Sequence, residues 1–356
     1  MSDNVRGKDQ YHDGFSDGFV PVEPLDLQKI DSFDALLRSY QRASFGARRV
    51  GDAAEVLETM VRDPDCYTVL TVSGAMTVAK MGLVICEMIE RGYVQCVIST
   101  GALMAHGMIE GTGHKHFRYE ATMDDKELYE KGYNRVYDTL EPEANFTDLD
   151  REVNEVLIQF EDGKMLSSAE LCRALGAHIA KKHPHVRAIL KSAYEHKVPV
   201  IIPSFSDSEM GLDVAVHNKW REMNGRKRLV CDCFLDLDHY TDIIKQQKTL
   251  GIFTIGGGVP RNWAQQVGPY LEITAHRLFA GQGITQKFRY GVRICPDSEH
   301  WGGLSGCTYR EGTSWGKFVP LEDGGRYAEV LEDATVVWPI IVKAVMERVA
   351  KKATPR

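Results

Sequence analysis

A chain of 356 residues, 43% hydrophobic and 26% charged, has the composition of an ordinary soluble globular protein, large enough for one large α/β domain or two smaller ones. Its net charge of −7 lacks the basic excess of a nucleic-acid surface, so no nucleic-acid partner is expected. No apolar run approaches the roughly 20 residues that span a bilayer, and residues 1–20 carry no basic-then-apolar leader; no membrane association is expected. The eight cysteines are scattered, several within apolar runs, as Cys86, Cys96 and Cys172 are. That usage suits buried reduced thiols and a cytoplasmic location better than a disulfide framework.

In chain order, residues 1–22 read as a flexible arm and 23–356 as one domain. From Pro24 to about Arg62 the apolar spacing is helical, through Ile30, Phe33, Leu36, Leu37, Val56, Leu57, Met60 and Val61. Short β-rich runs alternating with helices follow. TVLTVSG (68–74), VQCVISTGA (94–102), VPVIIPSFSD (198–207), LGIFTIGGG (250–258) and RYGVRICPD (289–297) each end in small, hydroxylated or acidic residues. Helices are expected over 81–90 and 186–196, from Thr147 to Phe160, and from the capping box at Ser167 to Glu170. This alternation predicts an α/β fold, doubly wound, with a mostly parallel sheet, Rossmann-like topology and helical additions. Ligands of such sheets gather at the strand carboxyl ends.

The segment EGTSWGK, Glu311 to Lys317, carries the sharpest chemistry. A lysine is a nucleophile only when neutral, and burial beside an indole lowers its pKa by penalising the ammonium form. Such a lysine forms imines with carbonyl or imine substrates; an isolated Trp-Gly-Lys would otherwise read as a surface loop. Gly256-Gly257-Gly258 after an apolar strand allows close approach to backbone amides, or only a tight turn. Asp207 suits a ribose hydroxyl, a cationic ring or a helix cap. His106, His114 and His116 surround a glycine-rich loop, but their spacing matches no standard zinc motif and Cys231-x-Cys233 has no second pair, so no metal site is expected and the histidines read as solvated. The acidic stretch from Asp232 to Asp242 reads as helix-terminus chemistry.

Taken together, VISTGA (97–102), KGYNRVYDTLEPEANF (131–146), VPVIIPSFSD, IGGGVP (255–260), GLSGCTYREGTSWGK (303–317) and EDATVVWP (332–339) resemble the deoxyhypusine synthase family, from about Tyr67 to Ala350. The resemblance implies a homotetramer with active sites between subunits, NAD as cofactor, and transfer of an aminobutyl-type group between amines through an enzyme-lysine imine. By the same resemblance Lys317 is the imine-forming lysine, Trp315 the indole beside a small-molecule amine substrate and Glu311 a substrate-side acid. Ser99, Thr100, Gly101, Asp207, Gly257, Gly258, Asp333 and Ala334 fall where the family contacts NAD. Asn262 stands at the family's catalytic histidine, and an amide is no general base at neutral pH. Ala105 and His106 replace an acidic pair, Leu304 an aspartate, and Asp213 stands one place from another. With those carboxylates gone, an amine with fewer or differently spaced charges is expected. The family's hypusine-forming reaction on a translation-factor lysine, a homospermidine synthase-like reaction, a non-catalytic NAD- or amine-binding protein and a metal-dependent amine hydrolase remain as alternatives.

Overall fold

A computed structural model of the chain describes residues 8–353; part of the N-terminal arm, residues 1–7, lies outside them. In chain order come α1 (Phe33–Arg42), α2 (Phe45–Arg62), β1 (Cys66–Val72), α3 (Gly82–Glu90), β2 (Cys96–Ser99), α4 (Gly101–Gly111), α5 (Asp125–Glu130), α6 (Glu143–Leu157) and α7 (Ser168–Lys182). Then follow α8 (Ile189–Glu195), β3 (Val200–Ile201), α9 (Glu209–Met223), α10 (Cys233–Lys245), β4 (Thr249–Ile255), α11 (Gly258–Gln265), α12 (Val267–Leu278), β5 (Phe288–Ile294), α13 (Tyr309–Ser314), β6 (Arg326–Val330) and α14 (Ala334–Ala353).

The six strands form one sheet in the order β6-β5-β4-β1-β2-β3, and every pairing is parallel. The chain runs outward from β1 through β2 to β3, then returns to the opposite side of β1 with β4. That reversal places a topological switch point between β1 and β4, where doubly wound folds bind ligands. The two strands run in register from Cys66 opposite Thr249 to Val72 opposite Ile255. Their interior is mostly apolar, and the buried Thr71 and Thr254 pair with each other, Thr71 Oγ1 donating to Thr254 Oγ1 at 2.9 Å. Side chains on the sheet's two faces pack into separate cores, one around Leu70, Val72, Phe253 and Trp338, the other around Val69, Ile252, Tyr240 and Phe288. A sheet covered on both faces explains why its strands read as continuous apolar runs.

Several boundaries differ from expectation. The helical stretch before β1 is two helices, because Ser32 caps α1 through Ala35 N at 3.1 Å and the chain breaks at Ala43 before α2. The expected helix from Thr147 begins at Glu143, directly after Pro142. VPVIIPSFSD supplies only a two-residue strand, since Pro203 has no N–H to continue the ladder. A small antiparallel ribbon of Phe117–Arg118, Thr139–Pro142 and Tyr133–Val136 occupies a region that reads as loop in the sequence. The cap at Ser167 is present, with Glu170 N donating to its hydroxyl at 3.0 Å. In the acidic stretch, Asp232 caps α10, while buried Asp236 accepts the Ser168 and Ala169 amides at the start of α7. All eight cysteines are free; Cys86, Cys96, Cys172 and Cys295 are buried, whereas Cys231 and Cys233 are exposed.

Candidate active site

Lys317 is positioned by a short helix closed at both ends. Thr308 caps α13 by accepting the Glu311 amide at 3.1 Å, and the Thr-x-x-Glu order is that of a capping box. At the other end Trp315 is the C-cap and Gly316 follows at φ +70°, the left-handed conformation glycine adopts without penalty. The Gly316 amide donates to Thr313 O at 3.0 Å and the Lys317 amide to Gly312 O at 3.2 Å. These two bonds are those of a Schellman motif and fix the lysine backbone. Lys317 O then accepts the Phe288 amide at 3.0 Å, tying the turn to the start of β5.

The Lys317 residue is only 8% exposed. Its Nζ donates to Asn262 Oδ1 at 3.0 Å. Burial lowers its pKa; the thiol of Cys307 works against the shift, the Arg261 guanidinium adds to it and Glu311 opposes it. Asn262 is a neutral acceptor, so it holds the amine without the charge–charge attraction a carboxylate would supply. The indole is not what buries the lysine. Trp315 is 64% exposed and its ring centroid lies 5.8 Å from Nζ. Glu311 is likewise exposed.

The residues at the strand carboxyl ends fall into two groups. Some are explained by packing within the chain. A Cβ on Gly101 would meet Ser208 Oγ at 2.2 Å, and one on Gly257 would meet Ser305 Cα at 2.4 Å. Thr100 caps α4 by accepting Leu103 N at 3.3 Å, Ser99 is fully buried, and Asp333 Oδ1 accepts Thr335 N at 2.8 Å ahead of Ala334, the first residue of α14. Others face open space. Gly258 has φ +61° with nothing within 4 Å of its missing side chain, and Asp207 is exposed beyond β3. Ser208, not Asp207, caps α9. Ser73, at the end of β1, accepts the Gly257 amide at 2.8 Å and so joins the two sides of the switch point.

The remaining two amine-side candidates lie elsewhere. Asp213, on α9, has its pKa pushed up to about 7 by burial and by the charges of Asp150 and Glu209. His106 is not solvated: its Nδ1 lies 2.6 Å from Glu141 Oε2, and the fully buried His116 side chain brings Nε2 within 2.8 Å of the same oxygen. His114 stands apart from them, 3.9 Å from Asp148.

Arg261 has no place in the sequence reading. It is 2% exposed, donates to Cys307 O at 2.7 Å and lies 5.4 Å from the Tyr309 ring centroid, while its Nε and Nη2 find no partner among the described residues. Its position beside Asn262 was the only available signal, and adjacency does not reveal burial. Of two clefts of about 1150 and 1180 Å³, the second runs along α13 at Thr308, Thr313 and Ser314, but neither is lined by Lys317, Asn262, Trp315 or Gly258.

Comparison with known proteins matches residues 35–345 to the deoxyhypusine synthase family. A "Probable deoxyhypusine synthase 2" of Methanosarcina acetivorans is 31% identical, over 95% of this chain and 92% of that protein. A "Deoxyhypusine synthase-like protein" of Chlorobaculum tepidum is 32% identical, over 84% of this chain and 81% of that one. A crystal structure from Entamoeba histolytica, described as a "putative deoxyhypusine synthase", superimposes with a TM-score of 0.59 over 92% of this chain and 97% of its own, at 15% identity, and so shares the fold. A family match across most of the length, with relatives above 30% identity over nearly the whole chain, means that the chain belongs to the deoxyhypusine synthase family.

Proposed function

We propose that this protein is an NAD-dependent transferase that moves an alkylamine group between amines through an imine on Lys317. The observation that carries the proposal is the buried Lys317 amine, lowered in pKa and held by a neutral amide. The switch point between β1 and β4 suits a dinucleotide, because Gly258 leaves room for close approach and Ser73 holds the adjoining Gly257 amide in place. Gly258, Thr100, Asp207 and Asp333 are the residues we assign to holding NAD; Gly101 and Gly257 serve chiefly to keep backbone and neighbouring side chain close. When bound, NAD supplies an acceptor for the hydride of the donor amine and returns that hydride to the product imine.

The chain's own residues supply the transfer. Neutral Lys317 adds its lone pair to the imine carbon of the oxidised donor, and the donor's original amine leaves with a proton. The acceptor amine then attacks the enzyme imine and restores free Lys317. Asn262 orients the lysine and accepts one of its N–H bonds without abstracting a proton. Trp315 offers an aromatic face to a cationic substrate. Asp213, whose pKa is raised first by burial and then by Asp150 and Glu209, would be stabilised in its ionised form by a positively charged amine end. The exposed Trp315 and the absence of Lys317 from both large clefts fit a homotetramer in which a second subunit covers the site. We favour a small-molecule acceptor over a protein lysine, because neither Asn262 nor His106 reproduces the family's own groups.

Borohydride trapping tests the proposal. With NAD and each of agmatine, putrescine and spermidine, reduction should leave an alkylamine adduct on the Lys317 peptide by mass spectrometry. No adduct with any of them would reject the lysine-imine route. Labelling of a translation-factor lysine from radioactive spermidine would instead establish the hypusine reaction.

A further inference from the structure

Away from Lys317, four elements bring a second set of reactive groups together. His106 comes from the second turn of α4, His116 from the segment just before the Phe117–Arg118 strand, Glu141 from the Thr139–Pro142 strand and Asn145 from α6. One ligand atom from each of His106, His116 and Glu141 lies within 4.8 Å of the other two. Both rings are directed at the same carboxylate oxygen, His106 at 2.6 Å and His116 at 2.8 Å. The His106 contact is an aligned hydrogen bond. His116 Nε2 is not aligned, and it is left buried without a satisfactory partner on a side chain that is 0% exposed. Glu141 Oε1 is held separately by Asn145 Nδ2 at 3.1 Å, which leaves Oε2 facing the two imidazoles. Phe146 packs edge-on against His106, with ring centroids 5.6 Å apart, and forms an apolar wall.

We propose that His106, His116 and Glu141 form a binding site for one divalent transition-metal ion. Two imidazoles and a carboxylate are the donor set of zinc and of iron(II), cobalt(II) or nickel(II), and three protein ligands leave a coordination position open. Bonds of about 2.0–2.1 Å in tetrahedral geometry separate ligand atoms by about 3.3 Å. The present contacts are shorter, so seating the ion requires each ring to retreat by well under an ångström. The surrounding charge favours a cation. Glu141 and Glu110 carry two negative charges, and the cation facing them is Lys80, which contacts Glu110 and lies 2.8 Å from His116 Nδ1. Lys80 is half exposed, and seating the ion requires it to leave Glu110 and His116 and turn outward. Once it does, His116 Nδ1–H faces Glu110 Oε1, 3.7 Å away. A carboxylate behind a ligating histidine fixes the tautomer that leaves Nε2 free to bind the metal. His114, which the sequence groups with these histidines, takes no part.

Titration of the full-length protein, first stripped with a chelator, with cobalt(II) alone tests the proposal. One cobalt per chain is expected, with visible ligand-field bands and no thiolate charge-transfer band, and zinc should displace it. His116→Ala and Glu141→Gln should abolish the bands, Glu110→Gln should weaken binding roughly 10- to 100-fold, and His114→Ala should leave it unchanged. Absence of ligand-field bands in the wild-type protein at saturating cobalt overturns the site. A thiolate band lost in Cys231→Ser with Cys233→Ser would overturn it equally, by moving the metal to the exposed cysteines. If a ligand variant does not fold, the wild-type spectrum decides alone, since nitrogen and oxygen ligation without thiolate is the expected signature.

Discussion

Lys317 and Glu141 are both buried ionisable groups, and the protein treats them in opposite ways. Around Lys317 the hydrogen-bond acceptor is a neutral amide and a nearby cation is the poorly satisfied Arg261. Nothing there fully offsets the cost of taking an ammonium out of water, so the charged form is disfavoured. Around Glu141 burial also works against ionisation, but the hydrogen bond from His106, the His116 imidazole 2.8 Å from Oε2 and the hydrogen bond from Asn145 outweigh it and hold the pKa at about 2. The contrast separates two uses of a buried charge. Leaving it uncompensated makes a nucleophile, whereas surrounding it with donors makes a permanent anion that can anchor structure or a cation.

The strongest way to break the comparison is to replace the lysine. Lys317→Arg should eliminate the borohydride-trapped adduct and lower turnover by about three orders of magnitude or more, since an arginine is never neutral. Lys317→Met should melt at the same temperature as wild type or higher. A folded-state pKa below that of the unfolded chain makes wild-type stability rise with pH through that interval. The gap to the Met variant should therefore close as the pH approaches the ordinary lysine value of 10.5. Calorimetry across pH checks both statements.

Removing the compensated charge should act in the other direction. Glu141→Ala leaves two inward-facing imidazoles without an acceptor and should cost about 2–3 kcal/mol in denaturant unfolding. The depressed carboxyl stabilises the fold fully above its unfolded value of 4.5 and loses that contribution as the pH falls towards about 2. The difference between wild type and variant should shrink over that interval. A smaller change comes from giving Lys317 a charged partner: Asn262→Asp should raise the lysine pKa and slow turnover at neutral pH by about 10- to 100-fold, with the pH–rate profile displaced towards alkali. The smallest effect is expected at Asp213. Its raised pKa makes the native state progressively less stable as the pH rises from 3.8 to about 7. Asp213→Asn should therefore stabilise the protein by about 1 kcal/mol at pH 8 and have no effect near pH 3.

The sheet was legible because its five longest apolar runs are also five of its strands, and chain order with strand-end residues implied doubly wound topology. The edge strand β6 was not, since Arg326–Val330, with Arg326 and Glu329 among its five residues, forms no continuous apolar run. The ribbon over 117–142 escaped for another reason: strands of two to four residues with exposed faces carry too little periodicity to register. At the lysine turn, Thr308, Glu311, Gly316 and Lys317 lie within one short segment, so local rules suffice to place them. The indole's exposure and the presence of Arg261 depend on packing between distant segments. The histidines show the same limit. His106 and Glu141 are 35 residues apart, and no spacing rule identifies a carboxylate as the partner of histidines that read as solvated.

The Schellman turn at Gly316 has a consequence for how a carried group would move. With the Lys317 amide bonded to α13 and its carbonyl to β5, the backbone is pinned on both sides and only the four-carbon side chain can swing. A group held on Nζ is thus a load on a short boom with a fixed pivot. How far it travels is set by the length of the group itself, so the acceptor must come to within one substrate length of a stationary point.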